Sequence, residues 1–263
     1  MNRLSAFVLF FACGLSIFVV PIFLVDLYRT VYAVIIIAIF LAAYLWASRT
    51  EALSEYVQIL LAFFIAALVF MLQFYWSAGT TIEEIVLNKL VSTIIVVLPI
   101  ILIVYFTTRH LEDLYLKKGN LKLGLIIGFV TILVFSITAV PVSIELFGGQ
   151  TVTTERLLVL IPWIIAFVMM NGLKEELLFR GLFLKRYQSF MGSDSSNLLQ
   201  AVIFSLAHLQ PIITPFIMIY LVLTFFLGLG FGEVINRTDS LGGAILFHAA
   251  ADIPVILAVF SFL

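Results

Sequence analysis

Residues 174–252 carry a set of ionisable side chains inside otherwise apolar, helix-length runs: Lys174, Glu175, Glu176 and Arg180, then His208, then His248 with Asp252. At membrane depth each such group costs about 2.5 to 3.5 kcal/mol on insertion scales, so a cluster of them points to function. Helical spacing separates their roles. Glu176 and Arg180 stand at i and i+4 in the favoured acid-before-base order, so they can neutralise one another and read as supporting residues. Glu175 is turned about 100° from Glu176 and has Phe179, not a cation, four residues on; it is left to face a cavity and is the candidate base. His248 and Asp252 are again i and i+4, which offers an imidazole and a carboxylate on one helix face, the carboxylate able to orient the ring and set its tautomer.

Two carboxylates and two histidines suit water activated by a general base, with donors for an oxyanion. They also suit a divalent metal, zinc first, held by Glu175, His208 and His248 with one position open. Against the metal, the ligands come from three helices without an i, i+4 histidine pair, and Glu175 as a ligand could not also be the base. The chain has no Gly-x-Ser-x-Gly elbow and no His-Glu-x-x-His helix, so hydrolysis by activated water is the economical chemistry.

Membrane helices must position these groups. Of 263 residues 63% are hydrophobic, 14% aromatic and 11% charged, against about 25% charged in a soluble protein. A net charge of -1 leaves no basic face, so nucleic acid is excluded as a partner and membrane lipids are expected. The expected fold is all-α, a polytopic transmembrane bundle of eight to nine helices around a polar intramembrane chamber. Runs long enough to cross about 30 Å of hydrocarbon fall at 4–25, 31–47, 57–78, 85–106, 121–147, 157–184, 197–213, 214–235 and 240–263. The seventh and eighth are separated only by Pro211 to Pro215, hence the alternative count of eight. The first is expected to be a retained helix and not a cleaved signal. The polar connection 107–122 divides the chain into four N-terminal helices within 1–120 and a C-terminal set, 121–263, whose motifs lie within 171–252.

Lys and Arg in short loops stay cytoplasmic. With the N-terminus inside, Arg3, Arg49, Arg109, Lys117, Lys118, Lys122, Lys185, Arg186 and Arg237 fall inside, and only Arg29 and Arg156 outside. A rise of 1.5 Å per residue then puts His208 ~16 Å, His248 ~12 Å and Glu175 ~15 Å from the cytoplasmic ends of their spans. One chamber lined by the sixth, seventh and ninth spans and open toward the cytoplasm would satisfy all of them.

Other polar or small residues have plainer readings. Lys89, alone in the fourth span, is expected to snorkel to the outer interface. His110 reads as a solvated loop residue and Cys13 as a buried packing thiol. Gly124 and Gly128, with Gly228, Gly230 and Gly232, read as close helix packing. Asn236-Arg237-Thr238 matches a glycosylation sequon by chance, in a cytoplasmic turn.

At these residues the sequence resembles the intramembrane endopeptidases grouped as CAAX proteases and bacteriocin-processing proteins, the Abi family, of the type II CAAX prenyl protease kind. Glu175-Glu176-Leu177-Leu178-Phe179-Arg180 matches Glu-Glu-x-x-x-Arg, Phe204-Ser205-Leu206-Ala207-His208 matches Phe-x-x-x-His, and His248-Ala249-Ala250-Ala251-Asp252 matches His-x-x-x-Asn/Asp, in the family's order. The likeness covers about residues 155 to 263. It implies a glutamate-dependent endopeptidase of a prokaryotic cell membrane in which Glu175 and His208 activate water, His248 and Asp252 stabilise the oxyanion, and Glu176, Arg180 and Phe204 support them. The substrate implied is a hydrophobic or lipid-modified peptide. Position 252 is Asp where the eukaryotic prenyl-protein proteases have Asn, and an ionised Asp is a poor oxyanion donor, so Asp252 either is protonated or orients His248. Two other classes fit the same polar set: a non-catalytic immunity or scaffold protein, and a proton-coupled carrier.

Overall fold

The computed structural model describes residues 1–73, 79–209 and 215–263, with the backbone alone at 215 and 216. Among the described residues every regular element is helical: α1 (Arg3–Phe18), α2 (Asp26–Ala47), α3 (Val57–Gln73), α4 (Ile82–Thr108), α5 (Leu121–Glu145), α6 (Thr154–Glu175), α7 (Leu182–Met191), α8 (Ser193–Leu206), α9 (Pro215–Thr238) and α10 (Leu241–Phe260). Among the described residues eight helical stretches are long and apolar enough to cross a membrane. The protein is an integral membrane protein with a polytopic helical bundle.

Local signals set the boundaries. Thr81 and Glu84 form a capping box at the start of α4. Asn120 caps α5, Thr153 caps α6 and Ser240 caps α10, each accepting a backbone N–H that would otherwise lack a partner. The expected sixth span is longer than its apolar run suggests. From α6 the chain passes through a π-helical segment, Glu176–Gly181, into α7, so the whole stretch runs from Thr154 to Met191.

The expected seventh span, 197–213, is not a full crossing. Helix α8 has 14 residues, or ~21 Å of rise, against about 30 Å of hydrocarbon. The Pro211 to Pro215 break expected after it falls, apart from Pro215 at the start of α9, outside the described residues. Helices α8 and α9 form an antiparallel hairpin: Ser205 Oγ donates to the Leu221 carbonyl at 2.6 Å, Gln200 Nε2 to that of Gly228 at 3.1 Å, and Asn197 Nδ2 to that of Leu229 at 3.0 Å.

At one end of the bundle the connection 109–120 is docked on the α9–α10 turn. Asn120 N donates to Thr238 O at 2.6 Å, Leu241 N to Tyr115 O at 3.1 Å and Ser240 Oγ to Lys117 O at 2.7 Å. Lys117 pairs with Asp239, and Lys185 of α7 with Asp113 at 2.8 Å. Tyr115, buried here, has its phenol pushed up to about 12 by burial and by the Asp239 carboxylate, so it stays neutral and donates to Gln188 Oε1 at 3.3 Å. His110 is exposed at this end. The opposite end is closed by Gln150 N donating to Ser261 Oγ at 2.7 Å.

One core joins both halves of the sequence. Phe10, Phe18, Phe63, Phe179, Phe183 and Tyr187, from α1, α3, the π-segment and α7, interlock with ring centroids 4.9 to 6.4 Å apart. The cluster continues to Phe204 of α8 and Phe231 of α9. Cys13 packs against it, half-buried. Elsewhere α5 and α10 lie backbone against backbone: a Cβ on Gly243 would sit 2.9 Å from Gly124 Cα.

Candidate active site

The π-segment holds its six residues buried. Here Glu176 Oε1 accepts twice, from Arg180 Nη1 at 2.8 Å and from His248 Nδ1 at 2.7 Å. Both side chains of the ion pair are wholly out of solvent. Arg180 also donates from Nη2 to the Gly228 carbonyl at 3.2 Å, and its guanidinium lies 4.2 Å from the Phe204 ring centre and 5.1 Å from that of Phe231. Glycine at 228 is what admits it, because a Cβ there would meet Arg180 Nη2 and Ala201 Cα at 3.2 Å. A buried charge is tolerable only when paired and hydrogen-bonded in this way.

Glu175, the last residue of α6, faces the other way. Its Oε2 is 3.6 Å from His248 Nε2 and 3.7 Å from His208 Nε2, while Oε1 is 3.9 Å from Lys174 Nζ. These separations are too long for direct hydrogen bonds and of the size a water bridges. Oε2 is buried without a hydrogen-bond partner among the described residues.

The partners of the two rings set their tautomers. His208 Nδ1 lies 2.8 Å from the Phe204 carbonyl, which can only accept, so Nδ1 carries the hydrogen. His248 Nδ1 likewise donates to Glu176. In their neutral forms both rings turn the Nε2 lone pair toward Glu175. Phe204 wedges between them, 4.7 Å from the His208 ring and 5.7 Å from the His248 ring, and Phe231 stacks on His248 at 4.6 Å and 10°.

The structure therefore brings Glu175, Glu176, Arg180, Phe204, His208, His248 and Asp252 together, with two changes of position. The carboxylate bonded to His248 is Glu176, not Asp252: Asp252 Oδ2 stands 3.7 Å from Nε2, beyond hydrogen-bond length. Spacing of i, i+4 lays Asp252 beside His248, but the ring reaches across to the helix opposite. Lys89 does not snorkel to an interface. Its Nζ turns inward from α4, donates to Asn171 Oδ1 at 2.9 Å and lies 4.4 Å over the Phe167 ring; Asn171 Nδ2 in turn donates to Asp252 Oδ2 at 2.8 Å. Asn171 carries no charge, so its cost at membrane depth does not single it out in the sequence. Its place one turn before Glu175 on the same face was the available signal.

A cavity of about 160 Å³ adjoins these groups. His208, His248 and Asp252 lie on its wall; Phe135, Tyr220, Leu227 and Val255 make much of the rest. Of the expected walls the seventh and ninth spans, α8 and α10, line it; α5 and α9 join them in place of the sixth, and Glu175 meets the imidazoles from the α6 side. The wall also reaches Val142, Leu146 and Phe147, at the end of α5 farther from the docked basic connection. The lining thus extends from the level of the histidines away from the basic end.

As a metal centre the set fits poorly. Among the described residues no three His, Cys, Asp or Glu side chains converge with metal-site geometry. The carboxylate that all three would share has the Lys174 ammonium against its other oxygen.

Residues 157–254 match the family model described as type II CAAX prenyl endopeptidase Rce1-like. The matched stretch runs from α6 into α10 and holds Glu175, Glu176, Arg180, His208, His248 and Asp252; Lys89 lies outside it. No curated protein and no solved structure matches the chain. Over residues 157–254, then, this membrane-spanning chain is similar to the type II CAAX prenyl endopeptidases of the Rce1-like kind.

Proposed function

We propose that the chain is a glutamate-dependent intramembrane endopeptidase that hydrolyses a peptide bond in a hydrophobic or lipid-modified peptide. The observation that carries this reading is the buried, unpartnered Glu175 Oε2 facing the Nε2 atoms of His208 and His248. A water at that point gives one proton to Glu175, the other hydrogen being held by the His208 lone pair, while its oxygen attacks the carbonyl carbon. The C–O bond forms, the C–N bond breaks, and Glu175 returns the proton to the leaving amine. Before that return the proton passes from Glu175 to His248 Nε2, which faces the same point and then donates to the oxyanion, and it comes back to Glu175 as the C–N bond breaks. Asp252 accepts from Asn171, which suits a carboxylate that holds the site together better than one that donates.

The family description favours a prenylated or hydrophobic peptide as substrate, and the apolar cavity wall supports a lipid-like chain beside the scissile bond. Glu175→Gln tests the reading, with purified protein in bilayers and a fluorogenic hydrophobic peptide. Accumulation stays normal and turnover is lost; a scaffold keeps its phenotype with this variant, and a carrier shows uptake that depends on a proton gradient. Exhaustive chelation leaves turnover unchanged. Loss on chelation with recovery on added zinc would assign the chemistry to a metal.

A further inference from the structure

Lys89 lies on α4, far in sequence from the three motifs, yet it ends in the candidate site. A lysine ammonium only donates, so the Asn171 atom facing it at 2.9 Å is Oδ1. That leaves Nδ2 to face Asp252, where it donates to Oδ2 at 2.8 Å. An amide without such a partner is free to turn over, and the turned form sets two acceptors, Oδ1 and the carboxylate, against each other. Lys89 removes that alternative. The oxygen so held, Asp252 Oδ2, is the one 3.7 Å from His248 Nε2. Charge gives the same answer: among the described side chains of the cluster, Glu175, Glu176 and Asp252 are matched by Lys174, Arg180 and Lys89. Without Lys89 a net negative charge remains at membrane depth.

We propose that Lys89 and Asn171 are positioning residues, a strut through which α4 fixes the Asp252 carboxylate beside His248 and balances its charge. This rests on the endopeptidase reading, and the experiment separates the two. In purified protein Lys89→Met lowers kcat about 10- to 100-fold with KM changed less than about threefold, the pattern of a misplaced reacting group, and Lys89→Arg restores most of it. Asn171→Leu cuts the strut with both charges in place and gives the same loss, which covers the event that Lys89→Met fails to accumulate. Because the three residues act as one unit, adding Lys89→Met or Asn171→Leu to Asp252→Asn costs less than about twofold beyond Asp252→Asn alone. Losses that multiply, or a kcat unchanged by Lys89→Met, overturn the strut.

A readout independent of turnover accompanies these. The Asp252 carboxylate band, identified in isotope-edited infrared spectra by its disappearance in Asp252→Asn, moves in Lys89→Met and Asn171→Leu and returns in Lys89→Arg. A band that stays in place in Lys89→Met also overturns the strut. If Glu175→Gln retains turnover while the band moves as stated, the endopeptidase reading fails and the strut stands.

Discussion

Glu175 and Glu176 are adjacent in the chain and differ in circumstance. Among the described residues each has an Oε2 without a hydrogen-bond partner, but Glu176 Oε1 accepts from both Arg180 and His248 while Glu175 faces only the two Nε2 atoms and Lys174. The two should respond differently to the same chemistry. Glu175→Gln unpairs only Lys174, whose ammonium stands 3.9 Å from Oε1 and short of a direct bond, so the melting temperature falls little while kcat falls about 100-fold or more, the scale of a lost general base. Arg180→Ala strands Glu176 and removes the bond to Gly228 and the contacts with Phe204 and Phe231. It should cost about 3 to 5 kcal/mol, read as lost folded protein. The exchange Glu176→Arg with Arg180→Glu regains part of that accumulation and none of the turnover, because it sets a cation against His248 Nδ1. At this scale the sequence was informative about which residues gather, since ionisable groups in apolar helices are costly enough to stand out. It was poor at pairing them. The bond from Glu176 to His248 joins residues 72 apart and that from Lys89 to Asn171 residues 82 apart, and helical periodicity carries no information across such distances.

Helix α8 shows what hydrophobic runs conceal. An apolar stretch at 197–213 reads as a crossing, but the helix ends at Leu206, and the imidazole sits just beyond its end, with His208 Nδ1 bonded back to Phe204. The π-segment is similarly invisible to periodicity, because widening one turn shifts the register without altering the composition. Close packing was legible, since small residues at helical spacing have few other uses in a membrane. Its consequence can be measured at Gly243, where a Cβ would meet the Gly124 backbone at 2.9 Å, an obstacle no side-chain rotation relieves. Gly243→Val should force α5 and α10 apart, costing about 1 to 3 kcal/mol of stability in a melting experiment. Turnover should fall further than the folded fraction does, since α10 carries His248.

The whole bundle is organised about a polar cluster with α10 beside it, packed on α5, α6, α9 and the π-segment. We propose from charge asymmetry that the end holding Lys117, Lys118 and Lys185 faces the cytoplasm. In a Cys13→Ala background, Lys118→Cys, which is exposed, should resist a membrane-impermeant thiol reagent added to intact cells, and Gln150→Cys should react; the reverse pattern inverts the topology and turns the cavity to the cytoplasm. Of the eight spans α10 is the most completely buried, and it follows all its neighbours in sequence. A ribosome releases the chain from the N-terminus onward, so α6 and α8 enter the lipid with Glu175 and His208 but without His248 and Asp252. In that interval Glu176 and Arg180 already neutralise each other within one helix, whereas Asn171 and Lys89 await a carboxylate still unsynthesised. On the endopeptidase reading proposed above, the site stays incomplete until α10 packs beside the other helices, so the newly made helices of the same chain are spared while they enter the bilayer.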